Sequence, residues 1–277
     1  MAGEVTIMPK IYTSPVQISS ITDSQASARS STLGSLSDIT DGNKHTFYET
    51  MAPGTAQTTP TRNELRFTLT FNSTTSVDTI YVLAQNIDSI TFSVNPGGDL
   101  LGTRVPGQIT YDSRRGVLAN VAVPVAATGG ILRLIKTPAT STVRIYQILV
   151  MRQLLDLSQS NNRAITRYDV TRQIRNAFVQ EDLYGSRTLQ TGHLNSAKKA
   201  INYRIWQNGS TLTECRNELS KVYNIQRQHS NFTIWDLDEL NAQDYESIFP
   251  AFWVPNTFTE RIEGTQAISY VFSVEEQ

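Results

Sequence analysis

The stretch Ile39–Glu49, ITDGNKHTFYE, holds a dense set of groups able to do chemistry: the carboxylates of Asp41 and Glu49, the imidazole of His45, the amide of Asn43 and the hydroxyls of Thr46 and Tyr48. Those groups, with a turn glycine at Gly42, fit an active site, a metal loop or the bend between two strands. Elsewhere the chemistry-bearing residues are dispersed. His45, His193 and His229 lie far apart and form no H-x-x-x-H pair, which leaves little for a histidine-based metal centre. The single cysteine, Cys215, excludes an internal disulfide and a cysteine-based zinc site. There is no G-x-S-x-G elbow, no P-loop and no G-x-G-x-x-G turn. Asp236, Asp238, Glu239 and Asp244 cluster after NFTIW and read as the capped, acid-favouring start of a helix, not as the carboxylate pair of a glycosidase. No catalytic constellation emerges, so the chain is expected not to be an enzyme. The basic run Arg163, Arg167, Arg172, Arg175 and Arg187 has only Tyr168 and Phe178 as aromatics close by, unlike the interleaved basic and aromatic face of a nucleic-acid binder. A formal net charge of −1 adds no bulk attraction for nucleic acid.

The elements that position these groups are mostly strands. Leu65, Phe67, Leu69 and Phe71 alternate with Arg66, Thr68 and Thr70, a period-two pattern with one buried face. Val77–Ala84, Ile90–Val94, Val117–Val125, Gly130–Lys136 and Thr142–Val150 follow as short strands punctuated by turns such as Asn95–Gly98. That spacing argues for an antiparallel sandwich over residues 1–153. Leu154–Asn162 reads as a linker, and residues 163–277 as a second, mixed β-rich domain. Its one clear helix lies near residues 211–225: Thr211 and Glu214 make a capping box, and Leu212, Cys215, Leu219 and Val222 form one apolar stripe. Cys215 on that stripe reads as a small core residue. A further short helix is expected over Asp238–Ile248. At 277 residues, two domains match the usual size per domain. No apolar run spans a membrane, and the N-terminus lacks the basic and apolar segments of a signal peptide, so synthesis in a cytoplasm is expected.

With the strands placed, the opening stretch resembles the start of discoidin-like domains, the coagulation-factor C-domain type of jelly roll. Asp41, Gly42, Asn43 and Thr46 match that family's D-G-N-x-x-T turn after a small-residue stretch, with Phe47–Tyr48 at the aromatic position. Leu65–Phe71 and Val77–Val82 resemble the next two strands; Ile131–Lys136 and Val143–Val150 resemble its closing pair, with Gln147 in place of the usual acid. The resemblance covers about half the chain. It implies a sandwich corner, with Gly42 at positive φ and Asp41 bonding loop N–H groups. It also implies calcium as the one candidate ion, with Asp38, Asp41, Asn43 and Thr46 as oxygen donors. Such sandwiches often bind glycans through loop aromatics, which here would be Phe47, Tyr48 and Tyr111.

The second half resembles tail and baseplate proteins of tailed bacteriophages in its general pattern. The shared features are a Gly-Ser-Arg hairpin, Ile248–Trp253 as an I-x-P-x-x-W element, and a closing strand Tyr270–Glu276. Arg163, Arg167, Arg172, Arg175, Tyr184, Arg187, Trp235 and Trp253 are residue types enriched at interfaces, so this half is expected to form homo-oligomeric and subunit contacts. Two functions from different classes follow: a structural virion component with its sandwich projecting outward, or a carbohydrate-binding protein whose partner is a surface glycan.

Overall fold

A computed structural model describes residues 9–24, 32–42, 46–50, 63–95, 98–104, 115–136, 142–158, 160–174, 177–181, 187–191, 197–236 and 248–277. The chain is mainly β. Its described residues form two eight-stranded sheets, a two-stranded ribbon and one α-helix. It divides into two compact units. One holds Tyr12–Gln153; the other joins the chain up to Ile11 with Leu154–Leu240 and Ile248–Gln277.

The first strand, β1 (Lys10–Thr13), belongs to the second sheet. The first sheet contains β2 (Ile18–Asp23), β3 (Thr32–Leu33), β4 (Tyr48–Thr50), β5 (Asn63–Gln85), β6 (Ser89–Asn95), β7 (Gly98–Arg104), β8 (Arg115–Lys136) and β9 (Val143–Met151). Two of these strands are long enough to serve two layers. Along Asn63–Thr70, β5 pairs with Lys136–Gly129 of β8 on one edge and with β2 on the other. Beyond a register break between Thr70 and Thr75, β5 keeps β8 on the same edge and takes β9 on the edge that β2 has left. The sheet thus folds at Thr70–Thr75 into β2–β5–β8–β6–β7 and β3–β4–β9–β5–β8. Both layers feed one core: Leu65, Phe67, Leu69, Phe92 and Leu132 from the first meet Ile80, Val82, Ile145 and Val150 from the second. Each such side chain contributes about 1.5–3 kcal/mol on burial. The period-two pattern at Leu65–Phe71 is what places one face of β5 there, with Thr68 and Thr70 exposed on the other.

The second sheet runs β10 (Gln153–Asp156), β1, β15 (Asn231–Trp235), β16 (Ile248–Trp253), β18 (Ala267–Glu276), β14 (Ala197–Asn208) and β11 (Arg163–Ile174), with β17 (Thr259–Ile262) also on β18. Between β11 and β14, β12 (Ala177–Glu181) and β13 (Arg187–Thr191) make the separate ribbon. The helix α1 (Leu212–Gln228) places Cys215, Leu219, Val222 and Ile225 against Tyr203, Ile205, Tyr270 and Phe272. Thr211 caps it by accepting from the Glu214 N–H at 3.3 Å, and the Glu214 carboxylate reaches back to the Ser210 N–H at 2.7 Å. No helix among the described residues is long and apolar enough to cross a membrane.

Three details differ from the sequence expectation. Leu154–Asn162 does not run free as a linker: Gln153–Asp156 is an edge strand, and Leu157, 1% exposed, enters the second core with Leu154 and Leu155 packed around it. Residues 1–153 do not all belong to the sandwich, because β1 contributes Ile11 to that same second core. Asp236 is not a helix cap; it is buried and accepts from the Tyr203 hydroxyl at 2.8 Å and from Arg167 at 2.5 Å. Asp238 and the helix expected after it lie outside the described residues, as do Glu239 and Asp244.

Candidate functional site

The corner that precedes β4 is built from short-range hydrogen bonds. Ser35 opens a 3-10 turn at Leu36–Ile39: its hydroxyl accepts from the Ser37 N–H, and its own N–H donates to the Asp38 carboxylate at 2.9 Å. Ile39, fully buried, pins that turn to the core. Gly34 takes φ +81°, and a Cβ there would lie 2.0 Å from the Phe47 carbonyl oxygen, so only glycine lets the two backbones approach. Gly42 takes φ +80°, the left-handed turn that an Asp-Gly pair favours. The Thr46 hydroxyl lies 2.9 Å from the Asp41 carboxylate and 3.1 Å from the Asp38 carbonyl.

Of the four proposed calcium donors, Asp38, Asp41 and Thr46 are described and are bonded to one another's loop. Calcium needs six to eight oxygens. Asp38 and Asp41 are the only carboxylates of the proposed set, and each accepts a hydrogen bond from within the loop. No group of three or more His, Cys, Asp or Glu side chains in metal-binding proximity occurs among the described residues. Asn43 and His45 lie outside the described residues.

Directly after this corner the chain carries Phe47 into a polar and aromatic patch on the second layer. Antiparallel pairing of β4 with β9 sets Glu49 opposite Arg144. Arg144 donates through Nε to Glu49 Oε2 at 2.7 Å and brings Nη2 within 2.5 Å of the same oxygen. Its guanidinium lies over the Phe47 ring, 4.4 Å from the centroid. Phe47 in turn meets Tyr146 edge-on at 5.9 Å. The Tyr146 hydroxyl accepts from Arg144 Nη1 at 3.5 Å and donates to Gln85 Oε1 at 2.7 Å. Hydrogen bonding to Tyr146 and the Glu49 carboxylate raise the Arg144 pKa against the lowering effect of burial, so the group is a permanent cation. The Arg144 and Glu49 side chains keep 25% and 20% of their surface exposed, whereas Tyr146 and Gln85 are buried beneath them. At the adjoining turn, Asn86 takes φ 60° and donates to the Thr142 carbonyl, tying the end of β5 to the start of β9. The patch is a fixed cation and a fixed anion on aromatic support, a set of few, placed polar groups of the sort that orients a small polar ligand.

Of the aromatic candidates, Phe47 is in this patch but Tyr48 is not. Tyr48 alternates to the other face of β4, is 4% exposed, packs edge-on against Phe67 and lies 3.5 Å from the Asp23 carboxylate. It is a core residue and presents no face to a ligand. Tyr111 lies outside the described residues. The sequence reading singled out Glu49 within the opening stretch but missed its partner Arg144, and missed Tyr146 and Gln85, because the partners stand 95 residues apart in the chain for Arg144–Glu49 and 61 for Tyr146–Gln85.

A concavity of about 490 Å³ lies near the bend of β5, lined by Thr68, Thr70, Ser93, Thr128, Gly129 and Ile131. Its lining mixes small hydroxyls with Leu69, Phe71, Val94 and Ile131 and has no charged side chain.

In the second unit, the interface candidates best described are internal. Arg163 bonds Gln207, the Asp156 carbonyl and Glu218; Arg167 pairs with Asp236; Trp253 is 8% exposed, packs against Phe232 and Phe272, and donates to the His229 carbonyl at 3.0 Å. Such residues brace their own unit. Trp235 is half-buried on β15. Arg172 sits opposite Lys199, and Arg187 opposite Glu181, in backbone register. Arg175 and Tyr184 lie outside the described residues.

No protein-family model matches the chain, and no curated protein matches it. Among solved structures it is similar to SpGH29, with 15% identity over 50% of this chain and 27% of that one, at a TM-score of 0.35. It is similar to a pectin-binding carbohydrate-binding module, with 16% identity over 49% and 91% of the two chains, at 0.30. It is also similar to the GH31 CBM32-2 module bound to GalNAc, with 10% identity over 53% and 98%, at 0.35. The chain thus spans about a quarter of SpGH29 and nearly the whole of the two modules. Likenesses of this strength assign no role to any residue, and nothing in them supports the resemblance to bacteriophage tail proteins.

Proposed function

We propose that the sandwich unit is a carbohydrate-binding domain and that Arg144 and Glu49, held on Phe47, are its ligand contacts. One observation carries this reading: the guanidinium of Arg144 is held by Phe47, Glu49 and Tyr146, yet a quarter of the side chain remains exposed. A surface arginine usually keeps its rotamer freedom and gives up about 1.5–2 kcal/mol of side-chain entropy when a ligand orders it. Here that cost falls on folding, so the guanidinium is already ordered when a sugar arrives. Jelly-roll sandwiches are common lectin scaffolds, which makes the reading compatible with the fold without resting on it.

On this reading the chain binds and does not catalyse. Retaining and inverting glycosidases use two carboxylates flanking the scissile bond. The patch has one carboxylate, Glu49, and it is neutralised by Arg144.

The test is a binding panel of galactose, N-acetylgalactosamine, chitosan and pectin fragments, measured by calorimetry with the full chain and with Arg144→Ala. Loss of a charged hydrogen-bond donor costs about 1.5–3 kcal/mol, so at least one sugar should bind, and Arg144→Ala should weaken it roughly 10- to 100-fold. Sugar binding unaffected by Arg144→Ala would move the site elsewhere, and a panel without binding would refute the function.

A further inference from the structure

The same patch also specifies which sugars it accepts, an inference that rests on the carbohydrate-binding reading. We infer that the site takes neutral sugars and rejects their uronic acids, and that Glu49 is the residue that discriminates.

The geometry gives two reasons. A sugar carboxylate is best bound by one of the two forked edges of a guanidinium, Nε/Nη2 or Nη1/Nη2, with two parallel N–H groups facing two oxygens. In Arg144 the edge formed by Nε and Nη2 is already turned onto Glu49 Oε2, at 2.7 and 2.5 Å. Arg144 is not placed to swing away and release that edge, because its plane lies on the Phe47 ring and its third nitrogen reaches the Tyr146 hydroxyl, itself anchored on Gln85.

The second reason is what Glu49 can accept. Both contacts from Arg144 go to Oε2, so Oε1 is left to take a hydrogen from a ligand. A hydroxyl donates and accepts, so adjacent hydroxyls of a neutral ring satisfy Glu49 Oε1 and the guanidinium together. An ionised carboxylate only accepts. Brought to this patch, it finds the Nε/Nη2 edge taken by Glu49 and Nη1 of the remaining edge already donating to Tyr146, gives Oε1 nothing, and sets a second negative charge beside Glu49 where the pair has no net positive charge to offset it.

The experiment is calorimetric titration of the full chain, of Glu49→Gln and of Glu49→Thr with methyl galactoside, methyl glucoside and the matching methyl uronides. Glu49→Gln keeps the shape and removes the charge; Glu49→Thr keeps a strand-favouring residue on β4 and serves if the first variant folds poorly. The native chain should bind a neutral methyl glycoside at least about tenfold more tightly than its uronide, as expected when a like charge is opposed at close range. In either variant the ratio should collapse or reverse, through tighter uronide binding. Uronides bound as tightly as neutral sugars by the native chain, or a ratio unchanged in both variants, would overturn the inference while leaving sugar binding at this site intact. If neither class binds the native chain, the carbohydrate reading itself falls and the inference with it.

Discussion

Tyr270 carries one of the buried polar atoms of the second unit that, like Thr233 Oγ1, finds no partner among the described residues. Its ring is buried, and its hydroxyl makes no hydrogen bond among the described residues. Burial pushes its pKa up to about 12, opposed by the nearby Arg163 cation. The neighbouring core residue Tyr203 is also raised well above 10, by burial first and then by Asp236. For a tyrosine the raised value means that the native state holds its proton where the unfolded chain has released it. The associated stability is therefore intact below pH 10 and is lost as pH climbs from about 10 to 12. Thermal unfolding followed between pH 8 and pH 12 should show the fall. In Tyr270→Phe the fall should be shallower, and at pH 7 the variant should be as stable as the native chain or slightly more so, since a buried unpaired hydroxyl costs free energy. Clear destabilisation at pH 7 would mean that the hydroxyl has a partner. At this scale the sequence shows which residues are apolar, polar or charged, but not which charges meet. Arg167–Asp236 and Arg144–Glu49 are separated by 69 and 95 positions. Nothing local in the chain marks them as pairs.

At the scale of elements, local patterns were legible and long-range continuity was not. The alternation at Leu65–Phe71 and the Thr211 cap translate directly into β5 and α1, because periodicity and capping are properties of a few consecutive residues. Sequence reading separates Leu65–Phe71 from Val77–Ala84, whereas the backbone joins them. The polar stretch Asn72–Ser76 looks like a loop, but it bends within one strand by bulging instead of leaving the sheet. The same holds for β8. Two substitutions test the elements separately. Thr211→Ala removes the acceptor of the Glu214 N–H and should cost about 1 kcal/mol in denaturant unfolding of the helix-bearing unit. Gly34→Ala forces a left-handed backbone on a Cβ residue, at about 1–2 kcal/mol, before counting the overlap with the Phe47 carbonyl. It should destabilise the sandwich by more than that and also weaken sugar binding, because Phe47 carries Arg144. A Gly34→Ala variant with unchanged melting and binding would detach the corner from the patch.

At the scale of the whole molecule, the class of fold follows from many short strands with turn residues between them. The way the chain is shared between units does not. β1 lies near the start of the chain and β10 in a stretch of linker-like composition, yet both join the sheet whose other strands come from residues 163–277. Leu155 and Leu157 read as linker positions until the second core is present to receive them. Function shows the same division. The Asp-Gly turn was visible as Asp41, Gly42 and Thr46, but the patch beside it depends on the β4–β9 register and could not be assembled from spacing. Whether a sugar sits on this patch can be read at Arg144 itself. The side-chain Nε–H signal of Arg144, assigned by its disappearance in Arg144→Lys, can be followed by nuclear magnetic resonance while a bound sugar from the panel is titrated in. A saturable shift of that signal, with the backbone amides of Thr70 and Gly129 near the β5 bend unmoved, is the predicted result. An Arg144 signal that stays fixed while the Thr70 and Gly129 amides move would contradict a sugar site at this patch.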